Sequence, residues 1–365
     1  MFMPNNAAYN NLAASPAERN IGPVGLTRAP VASQVAGLIF SESFDGLPET
    51  TASDGMTQAL LDAGWTYQRR GGDGGGPFYT AEPGNGDTYE ITSALTEALR
   101  GGTGKAFVAR RESWSQADGN AGFNSDGILV KELSQGVAEI FVRFYIKFQP
   151  GWTEDGTSKL FRIASLDPGG APFSFFSDGD AAPIMLWDYG TSQFGLRNFF
   201  SFRADPQETN YGMNSPQPPN LPRNKDSKGD VPCNFDGNMR DLDGDGTEEN
   251  TITMIDKTTG SVIQPGTITH EQVYGDTWNK VEFHLKMNSA PGALDGIMRQ
   301  WINDQLCFKN TQMPWMGTNS PGGKLWNYVG IGGNDNWNFY PNAQKVQEWY
   351  AIDDLEIYDS LPEGM

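Results

Sequence analysis

The sharpest chemical signal in the sequence is an acidic run built around two glycines. Asp241, Asp243 and Asp245 alternate with a leucine and a glycine, and carboxylates placed this way around a flexible turn can converge on one hard cation. Ca²⁺ takes about six to eight oxygen ligands. Because the twelfth position of the run is isoleucine rather than glutamate, Glu248 or one of the two residues after it would have to complete the shell. We expect a structural calcium site here, with a solvated acidic turn as the alternative.

Other catalytic constellations have little support in the sequence. The two histidines, His270 and His284, lack ligand-spaced partners, so zinc catalysis is not expected. No G-x-S-x-G elbow marks a serine nucleophile. Asp353 and Asp354 are adjacent and would point to opposite faces of a strand, whereas a retaining glycosidase needs two carboxylates about 5 Å apart. We expect one of this pair to cap a strand or to bind a neighbouring loop.

The charge balance excludes one class of partner. The chain of 365 residues has a formal net charge of −19 and a pI near 4.4. Nucleic acid would be repelled, because its binding depends on lysine and arginine neutralising phosphates. No apolar run approaches the roughly 18 residues that a membrane helix needs, and the first twenty residues lack the basic start and apolar stretch of a signal peptide. We therefore expect neither a nucleic-acid partner nor membrane insertion.

Alternating side chains predict the elements that must position any site. In Glu139–Phe148 every second residue is apolar, and this period of two is typical of a strand with one buried face. Its other face would carry Arg143, Tyr145 and Lys147. The stretch 278–287 repeats the pattern and leaves His284 on the outer face. Asp295-Gly296 predicts a turn into a strand over 297–302, Asn303-Asp304 predicts the next turn, and this spacing is typical of a hairpin.

Glycine and proline are frequent, with 44 and 23 residues, and helix signals are weak outside 93–99. The fold class we expect is all-β, an antiparallel β-sandwich of the jelly-roll type with long loops. Residues 1–37 are polar and without period, which predicts an extended N-terminal arm. Residues 38–360 would form one sandwich domain, interrupted at about 205–266 by a long acidic and proline-rich loop insertion.

Flat aromatic rings stack on the apolar faces of pyranose sugars. On this basis Trp187, Tyr189 and Trp337 are candidate carbohydrate-binding residues, together with the outer-face set Arg143, Tyr145, Lys147 and His284. The competing interpretation is that most of the ten tryptophans belong to the core.

The run from Trp278 through Asp295-Gly296 to Trp301, with the closing sequence WYAIDDLEIYD, resembles the concanavalin A-like lectin/glucanase jelly rolls. Among these it is similar to polysaccharide lyase family 14 and related lyases that cleave alginate or glucuronan. The likeness is a loose pattern over roughly residues 105–360. The resemblance implies a β-sandwich that binds carbohydrate.

Lyases of this kind remove a proton from a uronate and expel the linked sugar, which requires a base, an acid and neutralisation of the carboxylate. By resemblance, Lys159 matches the family's lysine, Ser201 and Arg203 match its Ser-x-Arg pair, and Tyr211 is the nearest candidate for its tyrosine. The lysine-to-serine spacing is longer here, and a loop rich in proline and asparagine replaces the expected Tyr-x-Tyr strand.

These departures favour binding over catalysis. We expect a carbohydrate-binding jelly-roll protein displayed on a surface, such as a component of a virion or an extracellular assembly, with the arm contacting neighbouring subunits. One alternative is a secreted polysaccharide lyase that acts on a uronic-acid polymer by β-elimination. The other is a structural decoration subunit without a ligand.

Overall fold

The structure is a computed structural model that describes residues 37–70, 87–112, 125–154, 157–175, 179–192, 195–205, 230–233, 254–264, 267–336 and 347–364. Within these ranges the chain forms two antiparallel β-sheets that pack face to face. The expected all-β jelly-roll sandwich is confirmed.

The strands and helices have the following bounds: β1 Leu38–Glu42, β2 Thr50–Thr51, α1 Gln58–Asp62, β3 Tyr67–Arg70, β4 Tyr89–Thr92, β5 Ala106–Glu112, β6 Ser125–Val137, β7 Glu139–Phe148, β8 Thr157–Leu166, β9 Ala181–Ser192, β10 Gly195–Arg203, β11 Asp230–Cys233, α2 His270–Val273, β12 Asn279–Lys286, β13 Gly296–Ile302, β14 Gln305–Met313, β15 Trp326–Asn336 and β16 Gln347–Tyr358. Sheet A has the strand order β14-β13-β12-β7-β16-β5-β4-β2, with β1 also paired to β16. Sheet B has the order β11-β10-β9-β8-β15-β6-β3.

The core lies between the sheets, where the alternating residues of β7 and β12 meet those of β8 and β9. Phe144 lies 4.8 Å from Phe161 between ring centroids, and Phe161 stacks on Phe283 at 5.1 Å. All three rings are fully buried. Burying an aromatic or large aliphatic side chain contributes about 1.5–3 kcal/mol. The burial of this layer therefore determines which face of β7 and which face of β12 points into the core. The predicted inward and outward faces of β7 and β12 are confirmed.

The predicted hairpin joins β13 to β14 through Asn303 and Asp304. Both residues have positive φ, 52° and 65°, which is the geometry of a type I′ turn. The Asn303 side chain accepts a hydrogen bond from the backbone N–H of Lys280 at 3.0 Å and so anchors the turn to β12.

Helices are short, as the sequence indicates. The stretch expected to be helical at 93–99 contains only a 3₁₀ turn at Thr96–Ala98. Neither α-helix was predicted from the sequence, because each is only about one turn long and shows no helical period. They are stabilised locally by N-caps, since Thr57 accepts from the backbone of Leu60 and Thr269 forms a capping box with Gln272.

Within the predicted loop insertion, β11 pairs along β10 and forms an edge of sheet B. Residues 1–36 and most of 206–253 lie outside the described residues, so the extended arm and the extent of the insertion stay predictions.

Candidate functional site

The face of sheet B that points away from the core carries both cationic and acidic side chains. Along β8, β9 and β10, Phe161, Trp187 and Phe200 point into the core, so the residues between them point outward. We call this outward surface the basic face. Its described cationic residues are Arg69, Lys159, Arg162, Arg197 and Arg203, and its described acidic residues are Asp126, Glu132 and Asp188.

Three of the four residues matched to the lyase pattern lie on this face. Lys159 is directly opposite Asp188 in the β8–β9 register. The Ser201 hydroxyl donates to Asp188 Oδ2 at 3.4 Å, so Asp188 lies between the lysine and the serine. Arg203 follows Ser201 by two positions on β10 and therefore has the same orientation. Tyr211 lies outside the described residues.

Access differs among the three residues. Lys159 is half-buried, whereas Ser201 and Arg203 are buried, with 4% and 6% of their surface exposed. The Arg203 guanidinium donates to the carbonyl of Phe202 at 2.8 Å. In this conformation a ligand could reach the lysine more readily than the serine or the arginine.

Sequence reasoning missed Asp188 and Arg162. Asp188 is the one charge within IMLWDYG, and Arg162 is the one charge within LFRIA, and these interruptions of apolar runs were the available signal. A β-bulge between Lys159 and Phe161 disguises the alternation in β8. The bulge places Lys159 and Arg162 on the same face although they are three residues apart.

One end of the basic face is covered by the segment 167–175, which connects β8 towards β9. Phe175 lies edge-on to Tyr328 with ring centroids 5.8 Å apart, and the Arg162 guanidinium is 5.0 Å from the Phe175 centroid. Phe173 lies 5.7 Å from the Arg69 guanidinium. The aromatic rings therefore form an apolar cover over charged groups at this end of the face.

Acidic residues at the same end are engaged with their neighbours. Arg69 Nε lies 2.8 Å from Asp126 Oδ2, and the Tyr67 hydroxyl donates to Glu132 Oε2 at 2.7 Å. That hydrogen bond is the main reason why the pKa of Tyr67 is raised, with burial adding to it. Both carboxylates are thus held by side chains of β3.

Two aromatic candidates for sugar stacking are core residues instead. Trp187 and Tyr189 are 0% and 1% exposed and point inward from β9. The indole N–H of Trp187 donates to Asn198 Oδ1 at 2.8 Å, which satisfies its polar atom inside the core. The prediction that these two rings contact sugar is wrong, because strand alternation turns them away from the surface.

The candidates from β7 do lie on an outer face, but on sheet A rather than sheet B. Arg143 pairs with Glu282 Oε1 at 2.7 Å, the Arg100 guanidinium covers the Tyr145 ring at 3.6 Å, and Lys147 donates to a backbone carbonyl at 2.9 Å. The structure therefore separates this set from Lys159 by the full thickness of the sandwich.

His284 also lies on the outer side of sheet A, yet only 2% of it is exposed. Its Nε2 is 2.8 Å from Glu139 Oε1. Burial lowers the pKa of His284 even though the carboxylate of Glu139 acts in the opposite direction. Because neighbouring side chains enclose the ring, its predicted role in contacting sugar is wrong for this conformation.

Trp337 and the predicted calcium ligands Asp241, Asp243, Asp245 and Glu248 lie outside the described residues, so both sites stay predictions. Within the part of the chain that is described, no cluster of three or more histidine, cysteine, aspartate or glutamate side chains could hold a metal ion. The described helices include none with the length and apolar character needed to cross a membrane.

No protein-family model matches the chain, and no curated protein matches it. Among solved structures it is similar to a variant of alginate lyase Aly36B in complex with an alginate trisaccharide, at 11% identity and a TM-score of 0.48, covering 89% of this chain and 98% of that one. A PL-14 alginate lyase from Aplysia kurodai matches at 8% identity and a TM-score of 0.45, covering 88% and 99%. Alginate lyase vAL-1 from a Chlorella virus matches at 11% and 0.41, covering 74% and 88%. These structures are jelly rolls, as expected for this chain, but similarity this low transfers no activity.

Proposed function

We propose that this protein binds an acidic polysaccharide along the basic face of sheet B. The observation that carries the proposal is the charge of three adjacent strands, β8, β9 and β10, in a protein whose net charge is −19. Their described residues include four cationic side chains on the outer face, Lys159, Arg162, Arg197 and Arg203, and one acidic side chain, Asp188. Against such a background, cations gathered on a single surface favour a ligand with repeated negative charges. Uronic-acid polymers offer one carboxylate per sugar, and arginine pairs with carboxylates through two parallel hydrogen bonds.

A β-elimination reaction at the same face is the second candidate function. Support comes from the arrangement of Lys159, Asp188 and Ser201, which brings a cation, a carboxylate and a hydroxyl together beside Arg203. A cation next to the substrate carboxylate makes the neighbouring carbon acid easier to deprotonate. Binding is the leading proposal because it needs only the charges, whereas elimination also needs a proton donor and acceptor at the sugar.

The wider setting that we propose is extracellular, on the surface of a particle or an assembly, with residues 1–37 contacting neighbouring subunits and the acidic run 241–248 holding calcium. The alternative without a ligand is a structural decoration subunit.

The first experiment compares retention on immobilised alginate and polyglucuronate with retention on neutral dextran. We expect binding to the two uronic polymers only. Lys159→Gln should weaken this binding about 10- to 100-fold, because a charge-assisted hydrogen bond contributes roughly 1.5–3 kcal/mol. The matched control is Lys286→Gln, which removes an exposed lysine from sheet A and should leave binding unchanged.

Equal weakening by both substitutions would show that only overall charge matters, and no retention of the unaltered protein would refute the proposal. Elimination is tested separately by following the ultraviolet absorbance of unsaturated sugar ends. A flat trace on polymers that do bind would leave binding as the function.

A further inference from the structure

Arg162 is a buried guanidinium without a carboxylate partner among the described residues. It is 1% exposed, and its contacts are a hydrogen bond from Nη2 to the carbonyl of Gly332 at 3.0 Å and the ring of Phe175 at 5.0 Å. Its Nε has no hydrogen-bond partner within the described ranges. Arginine is almost never fully buried unless it is paired, because a desolvated charge costs several kcal/mol.

Arg111 shows what a paired arginine looks like in the same protein. It is also 1% exposed, but it donates to Glu348 Oε2 through two nitrogens, at 2.7 and 3.1 Å, and to the carbonyl of Thr153 at 2.6 Å. Its guanidinium lies 3.6 Å from the Trp152 ring. The fold therefore can bury an arginine with full compensation, and Arg162 lacks that compensation.

A second unpartnered polar group lies beside Arg162. The Tyr328 hydroxyl is buried and has no hydrogen-bond partner within the described structure. Burial also raises the pKa of Tyr328, so its hydroxyl stays protonated and able to donate. Tyr328 and Arg162 are on neighbouring strands of the basic face, separated by one row of the β8–β15 register.

Glycines allow these two side chains to pack closely against the backbone of β15. A Cβ atom on Gly330 would lie 3.0 Å from Arg162 Cγ and 3.2 Å from a ring carbon of Tyr328. A Cβ on Gly333 would lie 2.7 Å from Arg162 Nη2 and would collide with the carbonyl of Lys159 at 1.8 Å. A larger residue at either position would crowd the guanidinium.

The described carboxylates of this face have other partners. Asp126 is paired with Arg69, Glu132 accepts from Tyr67, and Asp188 accepts from Ser201. A carboxylate from a ligand would supply the partner that Arg162 lacks among the described residues.

We infer that Arg162 and Tyr328 form a carboxylate-binding subsite beneath the ring of Phe175. Arg162 Nε–H and the Tyr328 hydroxyl donate to one carboxylate, which takes the place of the aromatic ring over the guanidinium. The inference rests on the proposed function in one respect, that the carboxylate belongs to a uronate of the bound polysaccharide. It adds a second anionic position to the basic face, on the far side of Arg162 from Asp188.

Opening of this subsite requires the segment 167–175 to move. At its base the segment is held by backbone hydrogen bonds from Asp167 to Asp180 at 2.9 Å and from Ala181 to Ser174 at 3.1 Å. Phe173 is only half-buried, and Pro168, Gly169 and Ala171 are exposed. Because Ser174 directly precedes Phe175, we expect displacement of the Phe175 ring to break the hydrogen bond from Ala181 to Ser174.

The test uses acetate, a carboxylate without a sugar, so that it does not depend on glycan binding. Melting temperatures of the full chain are measured in sodium acetate and in sodium chloride at equal ionic strength and pH. We expect acetate to stabilise the protein relative to chloride, because an anion that binds only the folded state raises the melting temperature. Arg162→Met should remove most of this difference, Tyr328→Phe should reduce it, and the control Lys286→Gln on sheet A should leave it in place.

The inference also predicts how Arg162→Met changes stability, and a purely structural role for Arg162 predicts the opposite. Replacing an uncompensated buried charge with a methionine of similar length should leave the melting temperature in chloride unchanged or higher, whereas Arg111→Met should lower it by stranding Glu348. The inference is overturned if acetate stabilises the Arg162→Met variant as much as the unaltered protein. It is equally overturned if acetate has no effect on the unaltered protein, or if Arg162→Met is as destabilising as Arg111→Met. Loss of polysaccharide retention with an intact acetate effect would refute the proposed function alone.

Discussion

The two histidines of the chain are both buried, and their protonation couples stability to pH. His270 Nδ1 lies 3.2 Å from the Tyr189 hydroxyl, and its ring meets Phe148 edge-on at 5.1 Å. Burial lowers the pKa of His270 to about 3. Burial also lowers the pKa of His284, against the opposing effect of Glu139. Both imidazoles are therefore neutral in the folded protein near neutral pH.

We predict that the protein loses stability as the pH falls from about 7 to about 5. A histidine in the unfolded chain takes up a proton near pH 6.5, whereas folded His270 does not do so until about pH 3. The unfolded state therefore binds more protons between these values, and the contribution present above pH 6.5 declines as the pH falls. The slope approaches about 1.4 kcal/mol per pH unit for each such histidine. Urea unfolding at a series of pH values measures it.

The control is the His270→Gln variant, which is less stable overall but should show a shallower decline with pH. A free energy of unfolding that stays constant over this range in the unaltered protein would contradict the burial of both rings. An equally steep decline in the variant would assign the effect to other groups.

At the scale of elements, the hairpin between β13 and β14 depends on backbone geometry at one position. Asp304 has φ 65° and a side chain that is largely exposed, where it pairs with Lys280. Asp304→Gly should preserve or slightly raise stability, because glycine adopts positive φ without steric cost. Asp304→Val should lower stability by about 1–2 kcal/mol, since a β-branched residue resists this conformation.

Both variants lose the same surface ion pair, so the difference between them isolates the backbone effect. Thermal unfolding of the two proteins measures that difference. Equal melting temperatures would mean that the turn changes its conformation to accommodate valine.

The sequence predicted elements well wherever one strand face is apolar and the other is polar. β7 and β12 satisfy this condition, and so their inward and outward residues could be assigned. β9 does not, because it is buried on both faces, and the alternation that would have placed Trp187 in the core is hidden. The bulge in β8 likewise concealed that Arg162 shares a face with Lys159.

The candidate site was less predictable than the fold because it depends on contacts between distant parts of the chain. Asp188 gains significance only from its register with Lys159 and its hydrogen bond from Ser201. That Arg162 has no carboxylate partner among the described residues is equally a property of the folded arrangement. No local pattern of residues carries either piece of information.

At the scale of the whole molecule, the two outer surfaces of the sandwich differ in how their charges are compensated. On sheet A, Arg143 lies between Glu282 and Glu356, at 2.7 and 3.4 Å. On sheet B, Arg69 is paired with Asp126, whereas Arg162 has no carboxylate partner among the described residues. In the proposed function, anions bind at the basic face while the net charge of −19 repels them at a distance.

This opposition gives an unusual expectation for the salt dependence of polysaccharide binding. Repulsion by the net charge acts over long distances and is screened within about 10 Å at 0.1 M salt, whereas paired contacts at the basic face are screened much less. We predict that the association rate with an alginate oligosaccharide rises between about 0.01 M and about 0.1 M salt, the reverse of ordinary electrostatic steering. Stopped-flow measurements with a neutral oligosaccharide of equal length provide the reference. An association rate that falls as salt is added would contradict this prediction. It would mean that attraction by the basic face outweighs repulsion by the net charge even at long distance.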